Sequence, residues 1–336
     1  MDTRPLGGSG LVVSRLALGT MTWGDPSPSG TGPDEAAAQL TGFRDAGGTL
    51  VDTGSSVVAD GTAAEELLGT LLAATGGRES VVLSTRSGAP TSLGSGASRR
   101  HLLTALDASL DRLRTDHVDL WQVAVHDPAV PLAETLAALD EAVSSGRARY
   151  VGVDGTTGWQ TAAAATWQRA WPARQPVVSV SVEHSLLARG VEREVVPAAL
   201  ASGLGLLPWS PLGRGVLTGK YRRGTPADAR GAAAPWDAFV APYLTEPATR
   251  IVDAVLTAAD GLGVSPVAVA LAWVRDRPGV AAPVVGARTA AQLQAALEAE
   301  ALTLPTEIRS ALDDVSAPLL SYPEVPPAGL PARHSP

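Results

Sequence analysis

A short apolar run, Leu50-Val51, ends on Asp52, and small residues follow it up to a helix expected to start near Ala63. A carboxylate at the end of a strand, just ahead of a loop, is where α/β enzymes place reactive groups. The loop behind it is bare: between Thr53 and Ala64 it has no tyrosine, lysine, histidine or cysteine. Asp52 therefore reads either as an acid or base, or as a buried carboxylate paired with Arg86. Such a pair lowers the carboxylate's pKa and weakens it as a base. Arg86 offers a cation for a substrate carboxylate or enolate, its plainer role being to neutralise Asp52. Asp154 ends a later strand, as a second reactive carboxylate or as the cap of a helix starting near Trp159. His126 precedes Asp127-Pro128, placing it within reach of the pocket or simply in a loop.

These groups need a scaffold. The opening TRPLGGSGLVVSRLALGT reads as a hairpin, with Gly7 to Gly10 as its turn. After it a unit of strand, loop and amphipathic helix recurs. Strands are expected at Leu16–Leu18, Leu50–Asp52, Val81–Ser84, Val118–Val123, Ala148–Val153, Val177–Val180, Leu204–Pro208 and Ala281–Val285. Leu102, Leu106, Leu110 and Leu113 share one helical face, as do Leu132, Leu136, Leu139 and Val143. Pro131 with Glu134 marks the start of that second helix. Strands alternating with helices over this length predict an α/β fold of the (β/α)8 TIM barrel type, rather than an open doubly wound sheet. No GxGxxG follows the first strand. Residues 1–300 read as one barrel and 301–336 as a Pro-rich extension on the surface or disordered. Residues 224–247 are too long for a simple connection and read as a large loop over one barrel end.

Bulk properties exclude several classes. Hydrophobic residues make up 45% of the 336, enough for a large core, and the formal net charge of -8 disfavours nucleic acid and anionic membrane as partners. Cysteine is absent, which excludes disulfides, zinc–thiolate sites and a cysteine nucleophile; no metal site is expected. The N-terminus lacks an apolar signal core and no apolar run reaches membrane-spanning length, so a cytoplasmic location is expected. The partner expected is a small-molecule substrate.

Several segments together carry a resemblance: LALGTMTWG at 16–24, VDTG at 51–54, EELLG at 65–69, DLWQV at 119–123 and RYVGV at 149–153. VEHSLLARGVEREVVPAAL at 182–200, LPWSPLGRGVLTGKY at 207–221, ALAWV at 270–274 and PVVGARTAAQL at 283–293 complete it. In this order the chain resembles the aldo-keto reductases. That resemblance implies a barrel with NADP(H) lying across its C-terminal face and carbonyl reduction by hydride transfer. It also implies a tetrad of aspartate, tyrosine, lysine and histidine, in which the tyrosine donates the proton. Asp52 matches the aspartate. The tyrosine position holds Val57, the lysine position Arg86 (in Thr85-Arg86), and the histidine position Ala124. Arginine keeps the charge but does not readily give up a proton.

For the cofactor the resemblance gives a divided answer. Trp209 matches the aromatic stacked on the nicotinamide, and Ser210, Leu212 and Gly213 match the pyrophosphate loop. Lys220, Gly286, Arg288 and Gln292 match the 2′-phosphate and adenine region, where cations suit a dianion. The residues holding the carboxamide are replaced by Asp154-Gly155 and Ser181, and two adenine contacts by Ala295 and Ala296. Trp23, Val57, Ala124, His184, Trp236 and Tyr243 are expected to line the substrate pocket. With three tetrad positions changed, the expectation is a non-redox enzyme of cyclase, dehydratase, isomerase or lyase type acting on a specialised metabolite, with NADP(H) an open question. The alternatives are an NADPH-dependent carbonyl reductase whose proton comes from water or His126, and a non-catalytic NADP(H)-binding sensor.

Overall fold

In the computed structural model, the described residues are 1–27, 30–54, 62–88, 96–124, 127–227, 229–232, 234 and 236–318. The chain opens with an antiparallel hairpin, β1 (Thr3–Pro5) and β2 (Val12–Ser14), in which Thr3 faces Ser14. Then follow β3 (Ala17–Gly19), α1 (Pro33–Asp45), β4 (Leu50–Asp52), α2 (Thr62–Thr75), β5 (Val82–Ser87) and α3 (Arg99–Leu113). β6 (Val118–Ala124), α4 (Leu132–Ser144), β7 (Ala148–Asp154), α5 (Gly158–Arg169), β8 (Val177–Glu183), α6 (Val195–Ala201) and β9 (Gly205–Trp209) continue the alternation. The remainder is α7 (Trp236–Val240), α8 (Glu246–Leu262), α9 (Pro266–Arg275), β10 (Val284–Gly286), α10 (Ala290–Leu297) and α11 (Thr306–Val315).

Eight parallel strands run in the order β10-β3-β4-β5-β6-β7-β8-β9. The last seam is closed ahead of β10, where the Leu206 N–H donates to Gly279 O and the Ala281 N–H to Leu206 O, both at 2.8 Å. The fold is the (β/α)8 barrel expected. Of the stretch after residue 300, 306–315 form a helix with Leu312 buried, and 319–336 lie outside the described residues. No single helix among the described residues is long and apolar enough to cross a membrane.

Successive strand residues face opposite sides, so alternate positions line the barrel. At its lower end these are apolar: Leu50, Val82, Leu120, Tyr150, Val178 and Leu207 join Leu6 and Val13 of the hairpin in one cluster. One step higher the inward positions turn polar, with Asp52, Ser84, Gln122 and Ser179. The opposite set faces the helices. Among it, Trp121 is fully buried and its Nε1–H donates to Ser87 Oγ at 3.0 Å.

The EELLG stretch has a mechanical reason. Glu65, 1% exposed, accepts from Thr85 Oγ1 at 2.5 Å and from Arg112 Nε at 2.8 Å, tying α2 to β5 and α3. A side chain on Gly69 would collide with the Arg112 carbonyl. Glu65→Ala is expected to lower unfolding stability by about 2–3 kcal/mol, since it strands a buried hydroxyl and a partly buried guanidinium. Urea unfolding reads this directly; a loss within error would show the network to be energetically idle.

Candidate active site

The alternation that builds the barrel also gathers the site at its C-terminal mouth. β4 ends on Asp52, β5 carries Arg86 two positions above Ser84, and β7 ends on Asp154. Asp52 accepts from Ser84 Oγ at 3.0 Å and Gln122 Nε2 at 3.3 Å, and Gln122 Nε2 also reaches Ser84 Oγ at 3.0 Å. Arg86 Nη2 bonds directly to Asp52 Oδ2, while its Nη1 lies 3.8 Å from Asp154 Oδ1. One guanidinium is thus flanked by two carboxylates. The Asp–Arg pair expected from sequence is formed, but its effect on the acid differs from the expectation. Burial pushes the Asp52 carboxyl above its ordinary value, outweighing the Arg86 charge and hydrogen bond that lower it. Asp154 is not the helix cap: Thr157 occupies that place, its N–H donating to Gln160 Oε1 at 2.8 Å.

Ala124 stands level with Asp154 across the β6–β7 ladder, and Asp154 level with Ser181 across β7–β8. Val57 and His126 lie outside the described residues. Among the described residues, the buried Asp154 Oδ1 and Ser181 Oγ atoms have no hydrogen-bond partner. Buried polar atoms left unmatched are uncommon and call for a ligand or water. A carboxylate acceptor beside a hydroxyl donor can pair with an amide group, which offers both a donor and an acceptor.

Trp209 closes β9 half-buried, and Ser210 after it adopts a left-handed φ of 50°. Leu212 and Gly213 continue this turn, with the Gly213 N–H donating to Ser210 O at 2.9 Å. Arg214, also left-handed (φ 57°), is a residue the sequence reading passed over. It grips Glu183 with Nε–Oε1 2.7 Å and Nη2–Oε2 2.5 Å, and bonds the Phe239 carbonyl. Its guanidinium lies 4.0 Å from the Phe239 ring centroid and 4.9 Å from that of Tyr243. This one side chain pins the 224–247 segment to the end of β8.

Of the residues that the resemblance matches to the adenosine region, Lys220 is exposed, with Nζ 5.3 Å from the Tyr221 ring. Gly286 ends β10, and the Arg288 N–H donates to Gln292 Oε1 at 3.0 Å. A second arginine joins them that sequence reading missed, because it sits in an Ala/Gly/Pro-rich stretch amid compositional arginine. Arg230 packs 4.8 Å over Trp236. Burial, and with it the charge of Arg288, pushes its guanidinium below the usual value against the opposing pull of Tyr221 and Asp25.

Four expected pocket residues are placed elsewhere or otherwise engaged. Trp23 is 1% exposed in the layer between strands and helices, its Nε1–H donating to Gln39 Oε1 at 3.1 Å. His184 is buried against Trp273 (centroids 5.8 Å apart, edge-on) and bonds Glu192 at 2.9 Å. Trp236 meets Phe239 edge-on at 5.9 Å inside the 224–247 segment. Tyr243 is held beside Glu183; burial and that carboxylate push its phenol well up, which makes it a poor proton donor.

Glu192 gives the region a pH signature. Burial raises its pKa, but hydrogen bonds from His184 and Arg189 and the charges of Arg189 and Arg277 take it down to about 2. A depressed carboxyl stabilises the fold above its unfolded value, and that contribution is lost as pH falls from about 4.5 towards about 2. Stability is expected to drop by up to about 3 kcal/mol over this window. Glu192→Gln should flatten the drop in urea titrations; an unchanged slope would refute it.

A profile of the aldo/keto reductase family matches residues 15–317. The chain is 34% identical to a probable voltage-gated potassium channel subunit beta of Arabidopsis thaliana, over 97% of this chain and 99% of that protein. It is 31% identical to versiconal hemiacetal acetate reductase of Aspergillus parasiticus, over 96% and 99% respectively. With norsolorinic acid reductase stcV of Emericella nidulans it shares 30% over 89% of this chain and 77% of that protein. The reductase names overturn the expectation of a non-redox cyclase, dehydratase, isomerase or lyase. That expectation rested on the tyrosine, lysine and histidine positions being filled by Val57, Arg86 and Ala124. By this match over nearly its whole length, the chain belongs to the aldo-keto reductase family.

Proposed function

We propose that this protein is an NADP(H)-dependent reductase of a small carbonyl compound, working with a non-standard proton donor. The observation that supports this reading best is the pair of buried polar atoms Asp154 Oδ1 and Ser181 Oγ, level with one another across β7–β8 and without a hydrogen-bond partner among the described residues. Trp209 would present its face to the nicotinamide, and Asp154 and Ser181 would take the carboxamide. The turn from Ser210 to Gly213 would follow the pyrophosphate, and Lys220, Arg230, Arg288 and Gln292 the phosphorylated adenosine. When bound, the reduced dinucleotide supplies the hydride.

The chain's own residues do the rest. Arg86, fixed between Asp52 and Asp154, supplies positive charge where the carbonyl oxygen becomes an alkoxide. It does not donate the proton, because a guanidinium paired with a buried carboxylate holds its own. The proton comes from water at the mouth or from His126. Recording NADPH oxidation with aromatic aldehydes over a pH series tests this. The reading expects turnover in the wild type, and His126→Ala separates the two donors by losing or keeping the alkaline fall in rate. Binding of NADPH without any oxidation would favour a sensor instead.

A further inference from the structure

The end of the barrel opposite Asp52 holds a separate cavity of about 260 Å³, between the hairpin turn, the starts of β7 and β8 and the end of α5. Val143, Tyr150, Val151 and Val177 are among its lining residues, together with Arg149 and Arg169. Arg169 is anchored through Nη2 to the Ser202 carbonyl. Arg149 is exposed, and its charge also acts on the Asp116 carboxyl. Two guanidiniums beside an apolar cavity, in a chain of net charge -8, single out this spot for an anion. Their planar forks match a carboxylate better than a point cation would.

We propose that this cavity binds a small amphipathic carboxylate, a single-ring acid of about ten heavy atoms. Its ring lies against Val143 and Tyr150, and its carboxylate meets Arg149 and Arg169. Tyr150 and Asp154 are on the same strand, so the cavity lies about 13 Å from the mouth at strand rise. The two sites are therefore open to occupation together, and the cavity does not depend on the reductase reading.

Benzoate titrated into the full chain, with and without saturating NADPH, tests this by calorimetry and saturation-transfer NMR. One saturable site is expected, unchanged by NADPH, with uncharged benzamide bound at least about tenfold more weakly. Arg149→Gln should weaken benzoate about tenfold, and Val143→Phe, which fills the cavity, should abolish binding. Arg149 is exposed, so its variant keeps the fold even if Val143→Phe does not, and circular dichroism checks both. Absence of benzoate binding, displacement by NADPH, or undiminished binding by Arg149→Gln would each overturn the proposal.

Discussion

Arg86→Ala is expected to destabilise the protein by about 3–5 kcal/mol, the range for a buried carboxylate stripped of its counter-charge. Asp52 is only 5% exposed, and Ser84 and Gln122 supply it with neutral donors alone. Burial already pushes this carboxyl up. A carboxyl raised in the folded state stabilises the fold below its unfolded value and loses that contribution as pH rises. The penalty of the variant should therefore be small in acid and grow towards neutrality. Chemical unfolding across pH measures it, and the double variant Asp52→Asn with Arg86→Met should recover most of the loss. A flat pH profile for Arg86→Ala would show that water reaches Asp52.

On the proposed cofactor reading, replacing both Arg230 and Arg288, as Arg230→Gln with Arg288→Ala, is expected to weaken NADPH about 100-fold or more. Charge-assisted bonds to a phosphate contribute about 1.5–3 kcal/mol each. NADH lacks that phosphate, so its affinity should shift by less than about threefold. Glutamine at 230 keeps a flat group over Trp236 and so spares the 224–247 segment. Fluorescence titration with both dinucleotides gives the ratio. Equal losses for NADPH and NADH would mean that these arginines support the fold of the loop rather than read the phosphate.

The barrel was legible because its signal is repeated. Short apolar strands such as Leu50–Asp52 and Val118–Val123 recur between helices, and Leu102, Leu106, Leu110 and Leu113 keep one helical face, so each unit supports the next reading. Strand ends were less so: β8 runs on to Glu183 because its last residues pair with β9 up to Trp209. The pairing of Asp52 with Arg86 followed from their places at adjacent strand ends. Its electrostatic outcome did not, since burial is set by the whole barrel and no local pattern records it. Trp23 and His184 show the same limit, because an aromatic or imidazole near a mouth and one beneath it have the same sequence neighbours. Arg214 and Arg230 were missed for a different reason. Both lie in irregular segments, where no periodicity aims a side chain, and only the fold reveals that one clamps Glu183 and the other packs over Trp236. The non-redox expectation gave three changed tetrad positions more weight than the resemblance carried by the rest of the chain.

The most direct test follows the transferred atom. The protein is mixed with aromatic aldehydes and NADPH carrying deuterium at its transferable C4 position, and the products are read by mass spectrometry. A carbonyl reductase predicts an alcohol carrying one deuterium, in step with oxidised dinucleotide. Tight binding of NADPH with no deuterium in any product would contradict it.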